Sequence, residues 1–377
     1  MLDDLVDRIA RFLDDPASGR FDDLALEAFA FQVERSPAVR SLAEARGALP
    51  GTVRGWREVP AVPALAFKSV ELAPRGVEPR PGEGVETFRS SGTSGRARSV
   101  HRHLFPGLYR AAIDASFPRH ALPGPVPEGG FPMLSLIPPR ARLPDSSLSF
   151  MVDHVLRRWG APDATAHALA GAPGADGLDA AGGLDAAGGL DAAGAGTWAR
   201  ERERDGRPGV VLATAFALAA WLERLAAAGE RYRLPAGTVL FETGGFKGRR
   251  RELSRAELLA RVADRLGVPA GRVVREYGMT ELTSQLYTGV LAGGDPDLFV
   301  APHWVRVRAL DPETLAEAQP GETGLVAIFD LANLSSAVHL LTEDLGAVEP
   351  GGLRLLGRAA GAELRGCSLA AEEMMVP

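Results

Sequence analysis

A short run of hydroxyl side chains and glycines could bind a phosphate chain. The segment FRSSGTSG begins at Phe88, and residues of these types form neither a good helix nor a good strand. A turn of this composition can direct backbone N–H groups and hydroxyls at phosphate oxygens. It is not a Walker loop, because G-x-x-x-x-G-K-S/T occurs nowhere in the chain. The candidate phosphate-binding residues are Ser90, Ser91, Gly92, Thr93, Ser94 and Gly95.

The residues that follow this run add positive charge. From its composition alone, a flexible polar linker is an equal alternative to a phosphate loop, and the cations tilt the interpretation towards a polyphosphate. No carboxylate spacing supports a metal pair at the two histidines, so we expect these histidines to face solvent or an anion. The cations and histidines are Arg96, Arg98, His101, Arg102 and His103.

A second segment, VVREYGMTELTSQ, begins at Val273 and places an aromatic ring, a glycine, a hydroxyl and a carboxylate in sequence. Tyr277 could stack on a base, Thr280 could bond a phosphate oxygen, and Glu281 could hold Mg²⁺ through its oxygens. The alternative is a strand followed by a turn with a surface glutamate.

Rare residues mark further positions. Of the 42 basic residues, only Lys68 and Lys247 are lysines, and Cys367 is the single cysteine. Lysine offers a compact charge and a tunable amine that arginine does not replace, although both lysines could equally be chance survivors of an arginine-rich drift in composition. Lys247 follows Gly244 and Gly245, which allow close backbone approach.

The overall composition excludes several classes of protein. The chain has 377 residues, a net charge of −6, 46% hydrophobic and 24% charged residues, which is typical of globular proteins and excludes disordered, collagen-like and membrane-embedded chains. The mild acidity argues against nucleic-acid binding, and one cysteine excludes a disulfide framework. The acidic start MLDDLVDR and the lack of a spanning apolar run predict a cytoplasmic protein with no membrane span.

Hydrophobic patterning predicts an α/β fold. The first 45 residues read as helices, with one amphipathic segment from Asp22 to Arg46, and Ala64–Leu72 reads as strand-like. From residue 131, short apolar strands alternate with helices, which is typical of a mainly parallel sheet, and after Pro302 the pattern becomes β. The predicted strands are 132–137, 210–214, 239–242, 304–308, 324–329 and 353–356, and the predicted helices are 215–228 and 255–266. The apolar helix from Ala215 could line an acyl pocket or simply pack in the core.

The sequence GLDAAG occurs three times in tandem from Gly177. Such a repeat lacks the apolar mass of a solenoid layer, so we interpret residues 162–208 as a low-complexity surface loop without an assigned function. We expect a large domain over residues 1–350 and a hinge-like C-terminal stub over 351–377.

The order of these motifs resembles the adenylate-forming superfamily of acyl-CoA ligases and luciferases. SSGTSG, a glycine pair, YGMTE, TEDLG and GR follow one another at suitable separations. Within that superfamily the chain is most similar to the acyl-protein synthetase (LuxE) family. The residues that carry this resemblance are FKSVEL at Phe67, SSLSFM at Ser146, TGGFKG at Thr243, EYGMTELTSQ at Glu276 and ELRGCSL at Glu363.

The resemblance implies an ATP site and its residues. It implies the large domain of the adenylate-forming superfamily. In that domain Ser90 to Gly95 would contact the ATP phosphates, and the residues around adenine would be Gly244, Gly245, Tyr277 and Gly278. It also places Thr280 at the α-phosphate, Glu281 on Mg²⁺, and Asp344 and Arg358 at the ribose. The implied cofactors are therefore ATP and Mg²⁺.

Two departures from the superfamily pattern shape the functional expectation. The sequence continues for only nineteen residues after Arg358, so the C-terminal domain that brings a catalytic lysine to other ligases is not expected, and Lys68 and Lys247 are the lysines available. A lone cysteine is more often a buried apolar residue, but acyl-protein synthetases resemble this layout in ending soon after an acyl-accepting cysteine, here Cys367.

The expected function is therefore ATP-dependent activation of a carboxylic acid, of the fatty class, as acyl-AMP. The acyl group would pass to Cys367 and then to a partner such as an acyl-protein reductase. One alternative is direct transfer to coenzyme A or a carrier-protein thiol. Another, from a different class, is a non-catalytic nucleotide-binding scaffold, against which the intact Thr280 and Glu281 argue.

Overall fold

A computed structural model describes residues 2–90, 98–169, 189–244, 253–359, 371, 373 and 374. The chain forms two compact units. The first contains Met1–Ala115, Met279–Leu286 and Val300–Pro377, and the second contains Ser116–Gly278 and Tyr287–Phe299.

The first unit combines N-terminal helices with antiparallel strands. Strands β11 to β14 pair in sequence order as antiparallel neighbours, and β1 pairs in parallel with β13. Strands β2 and β3 form a separate antiparallel hairpin. The elements are α1 (Leu2–Asp14), α2 (Phe21–Arg35), α3 (Pro37–Ala45), β1 (Val62–Pro63), β2 (Glu86–Arg89), β3 (Val100–His103), β11 (Val305–Leu310), β12 (Thr323–Asp330), β13 (His339–Glu349) and β14 (Gly352–Arg358).

The second unit is built on parallel strands. The order β5-β4-β6-β7-β8 is parallel throughout, and β9 and β10 follow on the β8 side. This confirms the predicted α/β class. The elements are α4 (Pro106–Ala121, which begins in the first unit), β4 (Phe131–Leu136), α5 (Ser147–Trp159), β5 (Gly160–His167), α6 (Ala192–Asp205), β6 (Val210–Thr214), α7 (Ala215–Ala228), β7 (Val239–Thr243), α8 (Arg255–Leu266), β8 (Val273–Tyr277), β9 (Leu286–Thr288) and β10 (Leu298–Val300).

The core of the second unit lies between its sheet and helices. Helix α7 packs Leu218, Trp221 and Leu225 against strand residues such as Val211 and Leu240. Helix α8 starts with a capping box between Ser254 and Glu257 and ends at Gly267 in the left-handed conformation. Both helices have the predicted bounds, and α7 serves core packing.

The fold corrects several sequence expectations, three of which concern secondary structure. Ala64–Lys68 is a 3₁₀ turn rather than a strand: Ala64, Ala66 and Phe67 are buried, and so short an apolar run has no period that separates strand from turn. The single helix expected from Asp22 to Arg46 is divided between α2 and α3, because Pro37 lacks the N–H that would continue a helix.

The third correction concerns the expected surface loop over 162–208. Its described flanks are the end of β5 and all of α6. Leu190, in the last GLDAAG copy, is a core residue, and Asp191 caps α6 by accepting a bond from the Gly194 N–H. The buried Trp198 and Ala199 give this polar-looking helix its apolar contacts. Residues 170–188, with the first two copies, lie outside the described residues.

The predicted boundary at residue 350 falls inside the β13–β14 hairpin of the first unit. Glu349 pairs with Gly352 across that turn. The boundary was inferred from the hinge-like GR pair, but Arg358 itself belongs to the last strand of the hairpin. Within the described residues, no helix is long and apolar enough to cross a membrane.

Candidate nucleotide site

The hydroxyl- and glycine-rich run connects the two strands of the β2–β3 hairpin. At its base, the Ser90 N–H donates to the Ser99 carbonyl over 3.1 Å and the Ser99 N–H donates to Ser90 Oγ over 2.9 Å. Arg98 Nε also donates to the Ser90 carbonyl over 2.6 Å. The hairpin therefore anchors both ends of the run. Ser91, Gly92, Thr93, Ser94 and Gly95 lie outside the described residues, so their phosphate-binding role stays a prediction.

The carboxylate of Glu281 lies in the first unit and is 6% exposed. Burial raises the pKa of Glu281, while the Ser99 side chain and the positive charges of Lys68 and Arg358 act to lower it. These three residues come from the FKSVEL segment, the loop hairpin and the GR motif. Residues from three widely separated sequence segments thus influence one buried carboxylate.

Asp344 and Arg358 are direct partners across strands β13 and β14. Arg358 Nε lies 3.6 Å from Asp344 Oδ1, and Arg358 Nη2 lies 3.5 Å from Glu343 Oε2. The guanidinium is half exposed, whereas Asp344 is buried. The predicted ribose-binding pair is therefore assembled by strand register, and its contact with ribose stays a prediction.

Lys68 ends the 3₁₀ turn at Ala64–Lys68, and its side chain is exposed. It lines an open cavity of about 260 Å³, whose walls include Phe67, Val100, Arg102 and Ser336. Arg102 is paired with Glu71 at 3.0 Å on the same cavity wall. Lys68 is thus exposed to solvent, while its charge acts on the buried Glu281.

A buried polar network, which the sequence did not reveal, holds the segment that follows YGMTE. Asp330 accepts bonds from the N–H groups of Thr283 and Ser284 over 3.1 and 2.7 Å. Asn333 Nδ2 donates to the Glu281 carbonyl over 2.9 Å, and Ser336 lies beside Asn333. The available sequence signal was the polar run after the apolar strand β12, which carries no motif of its own.

The two histidines after the loop are buried, contrary to the expectation that they face solvent or an anion. His101 Nδ1 lies 2.8 Å from the Thr280 carbonyl, and His103 packs its ring against Phe88 and Tyr109. Burial lowers the pKa of His101 to about 4 and that of His103 well below the ordinary value. Alternation along β3 explains the outcome, because positions 101 and 103 point inward while Arg102 points to solvent.

In the second unit, the predicted adenine-binding residues lie at the carboxyl ends of β7 and β8. Gly244 has φ +76°, a backbone conformation that favours glycine. Tyr277 is buried, with its ring 6.0 Å from that of Phe299. At the neighbouring register position, the Thr243 hydroxyl is hydrogen-bonded to the buried Glu276 carboxylate. Burial raises the pKa of Glu276 to about 7, and the Thr243 bond partly offsets this rise.

Gly278 is closely packed against a neighbouring side chain. A Cβ at position 278 would collide with the Glu276 carboxylate oxygen. The glycine of YGMTE therefore makes room for a neighbouring buried acid. Sequence reasoning missed Glu276 as a constraint on this motif.

Several candidate residues lie outside the described residues. They are Gly245, Lys247 and Cys367, and their predicted roles stay predictions. Ser146, from the SSLSFM segment, caps α5 by accepting a bond from the Ser149 N–H over 3.1 Å. This part of the family-like sequence therefore has a helix-capping role.

The residues around Glu281 fit a magnesium ion that shares its ligands with phosphate. Among the described residues, no group of three His, Cys, Asp or Glu side chains could enclose a metal. Mg²⁺ is usually held by one or two carboxylates together with substrate phosphates and water, so the single Glu281 is sufficient on the protein side. The adjacent Ser99 hydroxyl adds a neutral oxygen to this carboxylate environment.

Comparisons with known proteins show sequence similarity to one family. Residues 216–376 match the sequence model of the family described as acyl-protein synthetase, LuxE. Over 48 residues the chain is 42% identical to the long-chain-fatty-acid–luciferin-component ligase of Aliivibrio fischeri, a stretch that covers 13% of each protein.

The fold resembles solved structures of ligases. The structure of 2-hydroxyisobutyryl-CoA ligase with 2-HIB-AMP, in the postadenylation state, aligns with TM-score 0.60 and 15% identity over 89% of this chain and 67% of that chain. ATP-bound MatB from Rhodopseudomonas palustris aligns with TM-score 0.46 and 16% identity over 72% of this chain and 47% of that chain, so the alignment spans about half of that enzyme. Residues 216–376 of this chain therefore match the acyl-protein synthetase LuxE family, on a fold shared with the adenylate-forming ligases.

Proposed function

We propose that this protein uses ATP to convert a carboxylic acid to an acyl-adenylate and then transfers the acyl group to Cys367. The observation that carries the proposal is the buried Glu281 carboxylate with Ser99 beside it and the charges of Lys68 and Arg358 acting on it. A carboxylate of this kind with nearby cations suits a reaction that moves negative charge between phosphates.

The first step joins the substrate carboxylate to the α-phosphorus of ATP. A carboxylate oxygen forms the new P–O bond, the bond from the α-phosphorus to the bridging oxygen breaks, and pyrophosphate leaves with the electron pair. The Thr280 hydroxyl would donate to an α-phosphate oxygen, and Lys68 would stabilise the charge that develops on the leaving group. Mg²⁺ held by Glu281 would supply Lewis-acid stabilisation of that charge.

The second step breaks the mixed anhydride. The Cys367 thiolate attacks the acyl carbon, a C–S bond forms, and AMP leaves with the former carboxylate oxygen, while the thiol proton passes to solvent. Cys367 is eight residues beyond Ala359 in sequence, and a fully extended chain of that length spans at most about 28 Å. The covalent connection sets this upper limit, and the approach of the thiol to the acyl-adenylate is part of the proposal.

The acid is proposed to be a fatty acid, and the final acceptor a partner protein such as an acyl-protein reductase. The matched ligase of A. fischeri is named for a long-chain fatty acid, which supports this class. The LuxE family description, an acyl-protein synthetase, supports a protein rather than coenzyme A as the acceptor.

Intact-mass measurement tests the proposal. The purified chain is incubated with ATP, Mg²⁺ and fatty acids of several lengths, and pyrophosphate exchange is measured in parallel. The expected result is a covalent acyl adduct on the wild type that disappears in Cys367→Ser, while exchange persists in that variant. Glu281→Gln is expected to lose exchange by at least about 100-fold, because the carboxylate for Mg²⁺ is gone.

Two outcomes would contradict the proposal in different ways. If pyrophosphate exchange occurs but an acyl product forms only after coenzyme A or a carrier protein is added, the acyl acceptor is an external thiol and not Cys367. No exchange with any acid would leave only a nucleotide-binding scaffold.

A further inference from the structure

We propose that His101, Ser336 and Asn333 form a clamp that positions Thr280 and Glu281 for the adenylation step. This inference rests on the proposed function and adds three positioning residues to it. None of the three belongs to the segments that carried the family resemblance.

The clamp holds two consecutive peptide carbonyls. His101 Nδ1 lies 2.8 Å from the Thr280 carbonyl oxygen, and Asn333 Nδ2 donates to the Glu281 carbonyl over 2.9 Å. A carbonyl can only accept, so the proton between His101 and Thr280 belongs to Nδ1 of the imidazole. Thr280, with its proposed role toward ATP, and Glu281, with its proposed role toward Mg²⁺, are therefore each held through their own backbone carbonyl.

Ser336 joins the two halves of the clamp. Its Oγ lies 2.9 Å from His101 Nε2 and 3.2 Å from Asn333 Oδ1. With the His101 proton on Nδ1, Nε2 is an acceptor and the Ser336 hydroxyl donates to it. Asn333 Oδ1 also accepts from the Thr283 hydroxyl over 2.9 Å, and its Nδ2 also donates to the Ala337 carbonyl over 2.8 Å.

Burial makes this arrangement rigid. His101 and Asn333 are fully buried and Ser336 is 2% exposed, so a broken bond in the clamp leaves a polar group away from water. Phe67 packs edge-on against His101 at 5.4 Å, next to Lys68 in sequence. Strand β3 starts just after Ser99, so the same hairpin contributes the hydroxyl beside Glu281 and the imidazole on Thr280.

The test compares two replacements of one histidine. In His101→Asn the side-chain amide can occupy the place of Nδ1 and donate to the Thr280 carbonyl, whereas His101→Phe keeps the ring and loses the donor. Both variants and the wild type are assayed by pyrophosphate exchange with ATP titrated. The matched control is His339→Phe, because His339 is another buried histidine of the first unit and its Nδ1 lies 2.7 Å from a different backbone carbonyl, that of Val59.

The expected result is a loss confined mainly to kcat. His101→Phe should lower kcat by about 100-fold with KM for ATP within about threefold, because a misplacement of about 1 Å costs that much in rate. His101→Asn should recover most of the loss, and His339→Phe should keep kcat even where its melting temperature falls. Thermal melting of every variant separates loss of fold from loss of positioning.

Equal kcat in wild type and His101→Phe would overturn the clamp, as would an equal loss in all three variants. If His101→Phe does not fold, Asn333→Asp supplies the same test, because it replaces the donor to the Glu281 carbonyl by an acceptor of the same shape, and wild-type kcat in it would overturn the clamp. Absence of exchange in the wild type itself would instead contradict the proposed function, and the clamp's role with it.

Discussion

At the scale of single residues, the two lysines are the side chains whose chemistry arginine cannot reproduce. Lys68 is exposed at the edge of its cavity, yet its charge acts on the buried Glu281. A compact ammonium can approach a phosphate oxygen from one direction, while the planar guanidinium needs space for its fork. We therefore expect that arginine at position 68 keeps the charge of Lys68 but not its full role in adenylation.

We predict that Lys68→Arg lowers the rate of pyrophosphate exchange by about tenfold, with the melting temperature unchanged, since the side chain is exposed. The measurement is exchange at saturating ATP. The sequence predicts the same for Lys247→Arg. The control is Arg57→Lys, which alters an exposed ion pair with Glu317 and should keep the wild-type rate. A wild-type rate in Lys68→Arg would make this lysine a chance survivor.

At the scale of elements, the carboxyl ends of β7 and β8 are coupled by packing. Thr243 and Glu276 occupy paired register positions and share a hydrogen bond, and Gly278 leaves room for the Glu276 carboxylate. A substitution at Gly278 therefore disturbs the side chain of Glu276, which lies two residues earlier in strand β8.

We predict that Gly278→Ala destabilises the protein by about 1–3 kcal/mol, because the new Cβ would displace a buried carboxylate. In the background of Glu276→Ala the same change should cost much less, since the obstructing group is gone. Urea unfolding of the four proteins gives the coupling energy. Gly271→Ala is the matched control, because a Cβ there meets nothing within 4 Å. Equal costs in both backgrounds would contradict this packing argument.

At the scale of the whole molecule, buried histidines link folding to pH. His101, His103 and His339 are buried in the first unit, and His339 Nδ1 lies 2.7 Å from the Val59 carbonyl. Burial lowers the pKa of His339 to about 3. The folded state therefore holds this imidazole neutral at a pH where the unfolded chain protonates it.

We predict that the unfolding free energy of the wild type falls relative to His339→Phe as pH is lowered. The stabilisation is fully present above the unfolded pKa of about 6.5 and is lost at about 1.4 kcal/mol per pH unit as pH falls from there towards 3. Carboxylates whose pKa burial raises, such as Glu281, act with the opposite sign but cancel in the difference between the two proteins. Urea unfolding at several pH values between 7.5 and 5 measures this difference, and parallel curves would contradict it.

Features that depend on interactions between residues close in sequence were predictable, and features that depend on contacts between distant residues were not. The bounds of α7 and α8 were predictable because capping residues and apolar spacing act within a few residues. The strand-like interpretation of Ala64–Leu72 failed because a short apolar run such as Ala64–Phe67 carries no period that separates strand from turn. The prediction of a surface loop was wrong at Trp198 for a related reason, because the apolar partners of this residue lie in strands that are distant in sequence.

The sequence by itself determined the α/β class, the order of the motifs and the set of candidate site residues, because these depend on local patterns and residue types. Only the tertiary structure decided that Ser99 and the charges of Lys68 and Arg358 act on the buried Glu281, that Asp344 faces Arg358, and that the histidines after the loop are buried. Strand register and burial join residues separated by tens to hundreds of positions, and no spacing within one segment encodes such contacts.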